Sequence, residues 1–126
     1  MIRFVIKGET PAKKNSRIVL KNGRNIPGKR FQEWHEEAVV QILKQKRLIQ
    51  KLPCEGEVSV ILEFVHGDMR RRDSDNGTSS ILDLLVDCGI LADDKWQIVR
   101  SLSVTNTYEK GNPMCIIAIK SFSEKH

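Results

Sequence analysis

Two hydrophobic rhythms alternate along this chain, and their order restricts it to a layered α/β architecture. Ile2 to Lys7 sets Ile2, Phe4 and Ile6 against Arg3, Val5 and Lys7, the two-residue period of a half-buried strand. From Phe31 to Gln50 the period changes. Phe31, Trp34, Ala38 and Ile42, flanked by Val39 and Leu43, make one stripe of an amphipathic helix, with Pro53 beyond as a stop. Glu57 to His66 returns to alternation through Val58, Val60, Leu62 and Phe64. Asn76 to Cys88 is helical again and buries Ile81, Leu84, Leu85 and Cys88; Gly89 serves as C-terminal cap and Asp75 or Asn76 as N-cap. Gln97 to Tyr108 and Met114 to Phe122 are β-prone, and Lys110-Gly111-Asn112-Pro113 reads as the turn of a hairpin between them. Gly8 to Gly28, rich in Pro, Asn and Gly, is a long loop holding a small hairpin that turns at Asn22-Gly23. The order β, α, β, α, β, β predicts an α/β fold: a mixed sheet with two main helices packed on one face.

With 126 residues, the chain fits one domain spanning 1–126. Its longest apolar runs, such as Cys115 to Ile119, fall far short of the ~20 residues that cross a bilayer. The opening residues show neither a long apolar stretch nor a small-residue cleavage site, so no secretory signal is expected. Cys54, Cys88 and Cys115 are odd in number, widely spaced and form no CxxC pair. That pattern argues against a disulfide scaffold or zinc knuckle and fits a cytoplasmic protein.

The net charge of +5 is concentrated. Seven of the 21 basic residues (Lys13, Lys14, Arg17, Lys21, Arg24, Lys29 and Arg30) lie between Thr10 and Gln32 with no acid among them; the other 14 face 16 acidic residues. A second knot, Arg70-Arg71-Arg72, directly precedes an acidic cluster. Such patches are the footprint of a polyanion, because each neutralised phosphate releases counterions. A solvated basic loop gives the same composition.

Asp73 and Asp75 stand two apart where a strand gives way to a helix, so extended backbone points both the same way. Asp93 and Asp94 follow a turn before the next strand. Carboxylates brought together from element ends repel unless a cation sits between them, and oxygen-only ligands select Mg²⁺ or Mn²⁺. The alternative, in which Asp75 and Asn76 cap a helix and Asp93-Asp94 makes a turn, accounts for Asp75 but not for Asp73 or the three abutting arginines. Asp83, seven residues after Asn76, shares its face and supports the site from behind.

These same residues carry a resemblance. Asp73-x-Asp75-Asn76, then Asp83-x-Leu85, then Gly89-Ile90-x-x-Asp93-Asp94 resembles the RusA family of Holliday-junction resolvases, and Pro11-Ala-Lys-Lys-Asn15 is similar to that family's Pro/Asn-rich segment after its first strand. The resemblance covers nearly the whole chain. It implies a homodimeric, Mg²⁺-dependent endonuclease that makes paired nicks in four-way DNA junctions, often phage- or prophage-encoded, acting on no small-molecule substrate and at no membrane. Carried over by position, Asp73, Asp75 and Asp94 are the catalytic, metal-holding carboxylates, with Asn76, Asp83, Asp93 and Lys95 in support. Lys13, Lys14, Asn15, Arg17, Lys29, Arg30 and Arg70 to Arg72 are the DNA-gripping groups. One position departs: the family usually has a Lys three residues after the Asn, and here stands Ser79. A Lys there stabilises developing transition-state charge, and its absence leaves a binding-only alternative, a junction-binding protein with weak or lost cleavage. A helix-turn-helix regulator is disfavoured, since the 76–88 helix has no Lys or Arg.

Geometry limits the site. A helix running away from Asp75 ends about 18 Å off at roughly 1.5 Å per residue. Residues 89–94 must then travel back, nearly taut, unless a partner subunit completes the cluster; one subunit supplying all three carboxylates is the expected arrangement. His66, on a strand face with Val60, Leu62 and Phe64, reads as a core-edge histidine, and Trp34 as core. Trp96 and Tyr108 fit either a dimer contact or stacking on an opened base.

Overall fold

The computed structural model of the chain describes residues 1–12, 17–19, 21–23, 25–49 and 56–122. Its elements are β1 (Ile2–Lys7), β2 (Arg17–Val19), β3 (Asn25–Pro27), α1 (Lys29–Lys46), β4 (Val58–His66), α2 (Thr78–Asp87), β5 (Val99–Tyr108) and β6 (Met114–Ser121). Four strands form one mixed sheet in the order β1-β6-β4-β5, while β2 and β3 make the small hairpin expected around Asn22-Gly23. Helix α1 contains the whole expected stripe but starts at Lys29 and ends at Lys46, before the Gln50 bound expected from Pro53.

The strand neighbours differ from the expectation in one respect. β5 and β6 are not hairpin partners: β4 lies between them, parallel to β5 and antiparallel to β6. A parallel neighbour demands a crossover, and α2 supplies it. Residues 109–113 therefore pass over the end of β4 instead of closing a hairpin. They are fastened there by Glu109 N–H to the His66 carbonyl and Gly111 N–H to the Gly67 carbonyl, both at 3.0 Å.

One sheet face carries Phe4, Ile6, Val60, Leu62, Phe64, Cys115, Ile117 and Ile119 into a single core with Phe31, Trp34, Ala38 and Ile42 of α1 and Ile81, Leu84 and Leu85 of α2. Cys88 and Cys115 are free thiols, and burial pushes the Cys115 thiol up to about 12, so it is a packing residue. The outer edge of β1 is closed by α1. Gln41 accepts from Lys7 N–H at 2.8 Å, and Gln45 both accepts from Val5 N–H and donates to the Val5 carbonyl. The opposite edge strand, β5, is largely exposed.

α2 also begins differently from the expectation. Its N-cap is Gly77, with no side-chain capping bond from Asp75 or Asn76. Two successive turns lead in, Asn76 N–H to the Asp73 carbonyl and Thr78 N–H to the Asp75 carbonyl, each 3.1 Å. Close packing explains the glycine: a Cβ on Gly77 would lie 2.7 Å from Thr10 Cγ2 and 3.0 Å from Phe64 Cε1. Ser80 Oγ, fully buried, donates at 2.6 Å to the Pro11 carbonyl. The segment after β1 is thus seated on the start of α2. Gly77→Ala should lower stability by about 1–3 kcal/mol through overpacking, read as a drop in urea midpoint. An unchanged midpoint would show that Thr10 yields without cost.

Candidate active site

β4 ends at His66, and the chain then turns through Gly67 to Asn76 before entering α2. Where this segment leaves the sheet it forms two adjoining clefts that share Arg70, Arg72 and Asp73. The first, about 360 Å³, is walled by His66, Asp68, Ser74 and Asn106 to Tyr108. The second, about 470 Å³, gathers Glu9 to Ala12 with Arg30, Arg71 and Asn76. Two sequence-distant basic groups, Arg30 on α1 and the arginine knot, therefore meet beside Asp73 and the Pro11 segment.

The arginines differ in how they are engaged. Arg72 is turned inward, its side chain 17% exposed, and bonds Asp68 Oδ1 at 2.9 Å and lies 3.4 Å from Glu9 Oε1. Asp68 also accepts from the Arg70 N–H at 3.0 Å. The Arg70 N–H first, and the Arg72 guanidinium next, hold its carboxyl below the ordinary value. Arg70 and Arg71 are exposed, and Arg70 reaches Asp68 only at 3.8 Å. Lys29, in the first turn of α1, pairs loosely with Glu33. Lys13, Lys14 and Asn15, and the side chain of Arg17, lie outside the described residues.

Asp73 and Asp75 are both exposed, and among the described residues no hydrogen bond or ion pair engages either carboxylate. With the cap assigned to Gly77, Asp75 is not accounted for by helix capping. The other acidic group gathers through the chain reversal after α2. Gly89, at φ +72, turns the chain, and Ile90 and Leu91 N–H both return to the Leu85 carbonyl. This folds residues 90–94 back along α2 and brings Asp94 within electrostatic reach of Asp83. Asp83 lies five residues into α2 from Thr78, about 7.5 Å along its axis.

The carboxyls here are polarised in opposite directions. Asp94 N–H donates to Asp93 Oδ1 at 2.7 Å, and that bond holds the Asp93 carboxyl low. Asp94 is raised, first by partial burial, then by the hydrogen bond shared with Asp93, with the Asp83 charge adding to it. Lys95 is exposed; its cation helps keep Asp93 ionised. Among the described residues no three of His, Cys, Asp and Glu are already drawn into a cation cage. By chemistry the donors fit a hard divalent cation: they are all oxygen, Asp73 and Asp75 are uncommitted among the described residues, and a bound cation would offset the burial and the neighbouring carboxyls that raise Asp94.

Two contributors go beyond the sequence reading. Glu9 and Asn106 both bond His66, at 3.2 Å to Nδ1 and 2.8 Å to Nε2. His66 is thus more than a core-edge residue. A partial signal exists: His66 continues the alternation of Val60, Leu62 and Phe64 on β4, while Asn106, paired with Phe64, sits on the largely exposed β5. Trp34 is core, as expected, and Trp96 is 69% exposed with Arg100 over its ring.

The family model described as Endodeoxyribonuclease RusA matches residues 8–120. The chain belongs to this family. No curated protein matches it. As a RusA-family endodeoxyribonuclease it hydrolyses phosphodiester bonds, and the family acts on branched DNA junctions. Among the described residues no helix is long and apolar enough to cross a membrane.

A raised carboxyl marks a stability penalty on the ionised form: the folded chain holds that proton more tightly than the unfolded chain. Asp94→Asn should therefore modestly raise the melting temperature of the cation-free protein at neutral pH. The gain should fade as pH falls through the acidic range where wild-type Asp94 is itself protonated. Melting curves across pH 3–7 check this, and a destabilised variant at neutral pH would contradict it.

Proposed function

We propose that this RusA-family chain is a Mg²⁺-dependent endonuclease, with Mn²⁺ as a substitute, that resolves four-way DNA junctions by paired symmetric nicks as a homodimer. The observation that carries the reading is the basic cleft that Arg30, Arg70 to Arg72 and the Pro11 segment line together with Asp73. Asp73, Asp75 and Asp94 are the groups that would hold the cation. A cation bound by them supplies charge neutralisation at the scissile phosphate and activation of water for attack.

The chain's own residues perform the remaining tasks. Arg30, Arg70 and Arg71, with Lys13, Lys14, Asn15, Arg17 and Lys29, position the phosphates and read little base sequence. Asn76 and Asp83 flank the carboxylates, Asp93 polarises Asp94, and Lys95 adds positive charge beside it. Two symmetric nicks call for two sites related by a two-fold axis, hence two copies of the chain.

Ser79 favours a second reading. It is exposed in the first turn of α2, where the family usually carries a cation, so binding with slow cleavage is the alternative. Ser79→Lys beside wild type separates the two. A large gain in nicking supports a weakened site, whereas no gain supports a wild type that is already competent.

The main test is nicking of a synthetic four-way junction against linear duplex, with and without Mg²⁺. Asp75→Asn should abolish Mg²⁺-dependent junction nicking while binding is kept within a few-fold. An equal loss of binding would make Asp75 structural. Replacing Lys13 and Lys14 with Ala should weaken junction binding and reduce the slope of log K against log salt by about 2, one for each phosphate no longer neutralised. An unchanged slope would remove that pair from the interface.

A further inference from the structure

The carboxylate-bearing turn is held by a chain of side-chain bonds at the sheet's end, beside the first cleft. Asn106 Nδ2 donates at 2.8 Å to the carbonyl of Ser74, the residue between Asp73 and Asp75. A carbonyl only accepts, so this bond commits the amide nitrogen to Ser74 and turns Asn106 Oδ1 toward His66, whose Nε2 donates to it at 2.8 Å. His66 Nδ1 faces Glu9 Oε2 at 3.2 Å, and because a carboxylate oxygen only accepts, this link is a hydrogen bond with an N–H on Nδ1 as well. Glu9 is fixed in turn by the Gly67 N–H at 3.0 Å and by the Arg72 guanidinium at 3.4 Å. Glu9, His66 and Arg72 side chains are all less than a fifth exposed. Four segments, the end of β1, the end of β4, β5 and the arginine knot, thereby bear on one backbone carbonyl.

From this geometry we propose that Glu9, His66 and Asn106 form a positioning relay that sets the backbone of the Asp73–Asp75 turn and so the spacing of its two carboxylates for a divalent cation. The inference rests on the proposed metal role of Asp73 and Asp75. None of the three relay residues touches the reacting atoms. Their effect is to restrict a turn that, among the described residues, otherwise has two 3.1 Å backbone bonds of its own, from Asn76 and Thr78 N–H. Asn106 is the residue to test, because it is exposed and its replacement leaves the core intact.

Asn106→Asp is the discriminating variant. It keeps an acceptor for His66 but has no proton for the Ser74 carbonyl. It also adds negative charge near the carboxylates, which by charge alone tightens Mg²⁺. The relay requires the reverse: both Asn106→Asp and Asn106→Ala should raise the Mg²⁺ concentration for half-maximal junction nicking about tenfold, as when the outer hydrogen-bond partners of metal ligands are removed. The rate at saturating Mg²⁺ should return near wild type. In the cation-free protein, amide exchange at Asn76 and Thr78 should accelerate in both variants with the melting temperature little changed. Unchanged exchange at those amides in both variants would overturn the relay. So would faster exchange with an unmoved or lowered Mg²⁺ midpoint while Asp75→Asn is inactive. Full nicking by Asp75→Asn would instead overturn the metal role of the turn, and the exchange data would still judge whether Asn106 orders it.

Discussion

Everything distinctive in this fold follows from β4 having a parallel neighbour on one side and an antiparallel one on the other. Pairing β4 with β5 in parallel forces the chain to leave the carboxyl end of β4, cross over the sheet face and return, which is the task of α2. The exit segment, residues 67–76, therefore lies at the end of the sheet, where ligands of open α/β sheets bind. Antiparallel pairing of β6 on the other side obliges residues 109–113 to bridge the same end of β4. Strand ends, the arginine knot and the start of α2 are thus gathered in one place by topology, before any side-chain chemistry is considered.

Packing then decides the detail. The glycine at the head of α2 admits Thr10 and Phe64, and Ser80 bonds the Pro11 carbonyl, so the segment that follows β1 lies against the acidic turn. At the far end of α2, Gly89 reverses the chain, and the reversal draws Asp94 back toward Asp83. Lys46 of α1 closes that end by donating to the Cys88 carbonyl at 2.7 Å. One short helix, capped at both ends by packing against other segments, links the two carboxylate groups that the family signature separates in sequence.

How far these features can be read in advance depends on the kind of signal. β1, the α1 stripe and the alternation of β4 are legible because burial acts on each residue separately and leaves a period. The expected β5–β6 hairpin does not form: periodicity identifies a strand but not its neighbour, and β4 takes the place between them. The expected cap of α2 fails for another reason. Asp75 and Asn76 have the right chemistry at the right place, whereas Gly77 is required by close approach of Thr10 and Phe64, which lie far off in sequence. Glu9 and Asn106 escape a sequence reading for a related reason: each is ordinary locally, and only the sheet end brings them to His66. The acidic turn itself is visible, since two aspartates behind three arginines form a charge pattern that neither capping nor solubility explains.

The proposed mechanism stands on one condition: Asp73 with Asp75, on the entry to α2, and Asp94, beyond its exit, serve the same divalent ion. Calorimetry of Mn²⁺ binding, with four-way junction present, to wild type, Asp73→Asn and Asp94→Asn addresses that condition without relying on turnover. With a shared ion, either substitution alone removes most of the high-affinity uptake seen in wild type. Undiminished Mn²⁺ affinity in either variant would show that the two acidic groups do not share an ion.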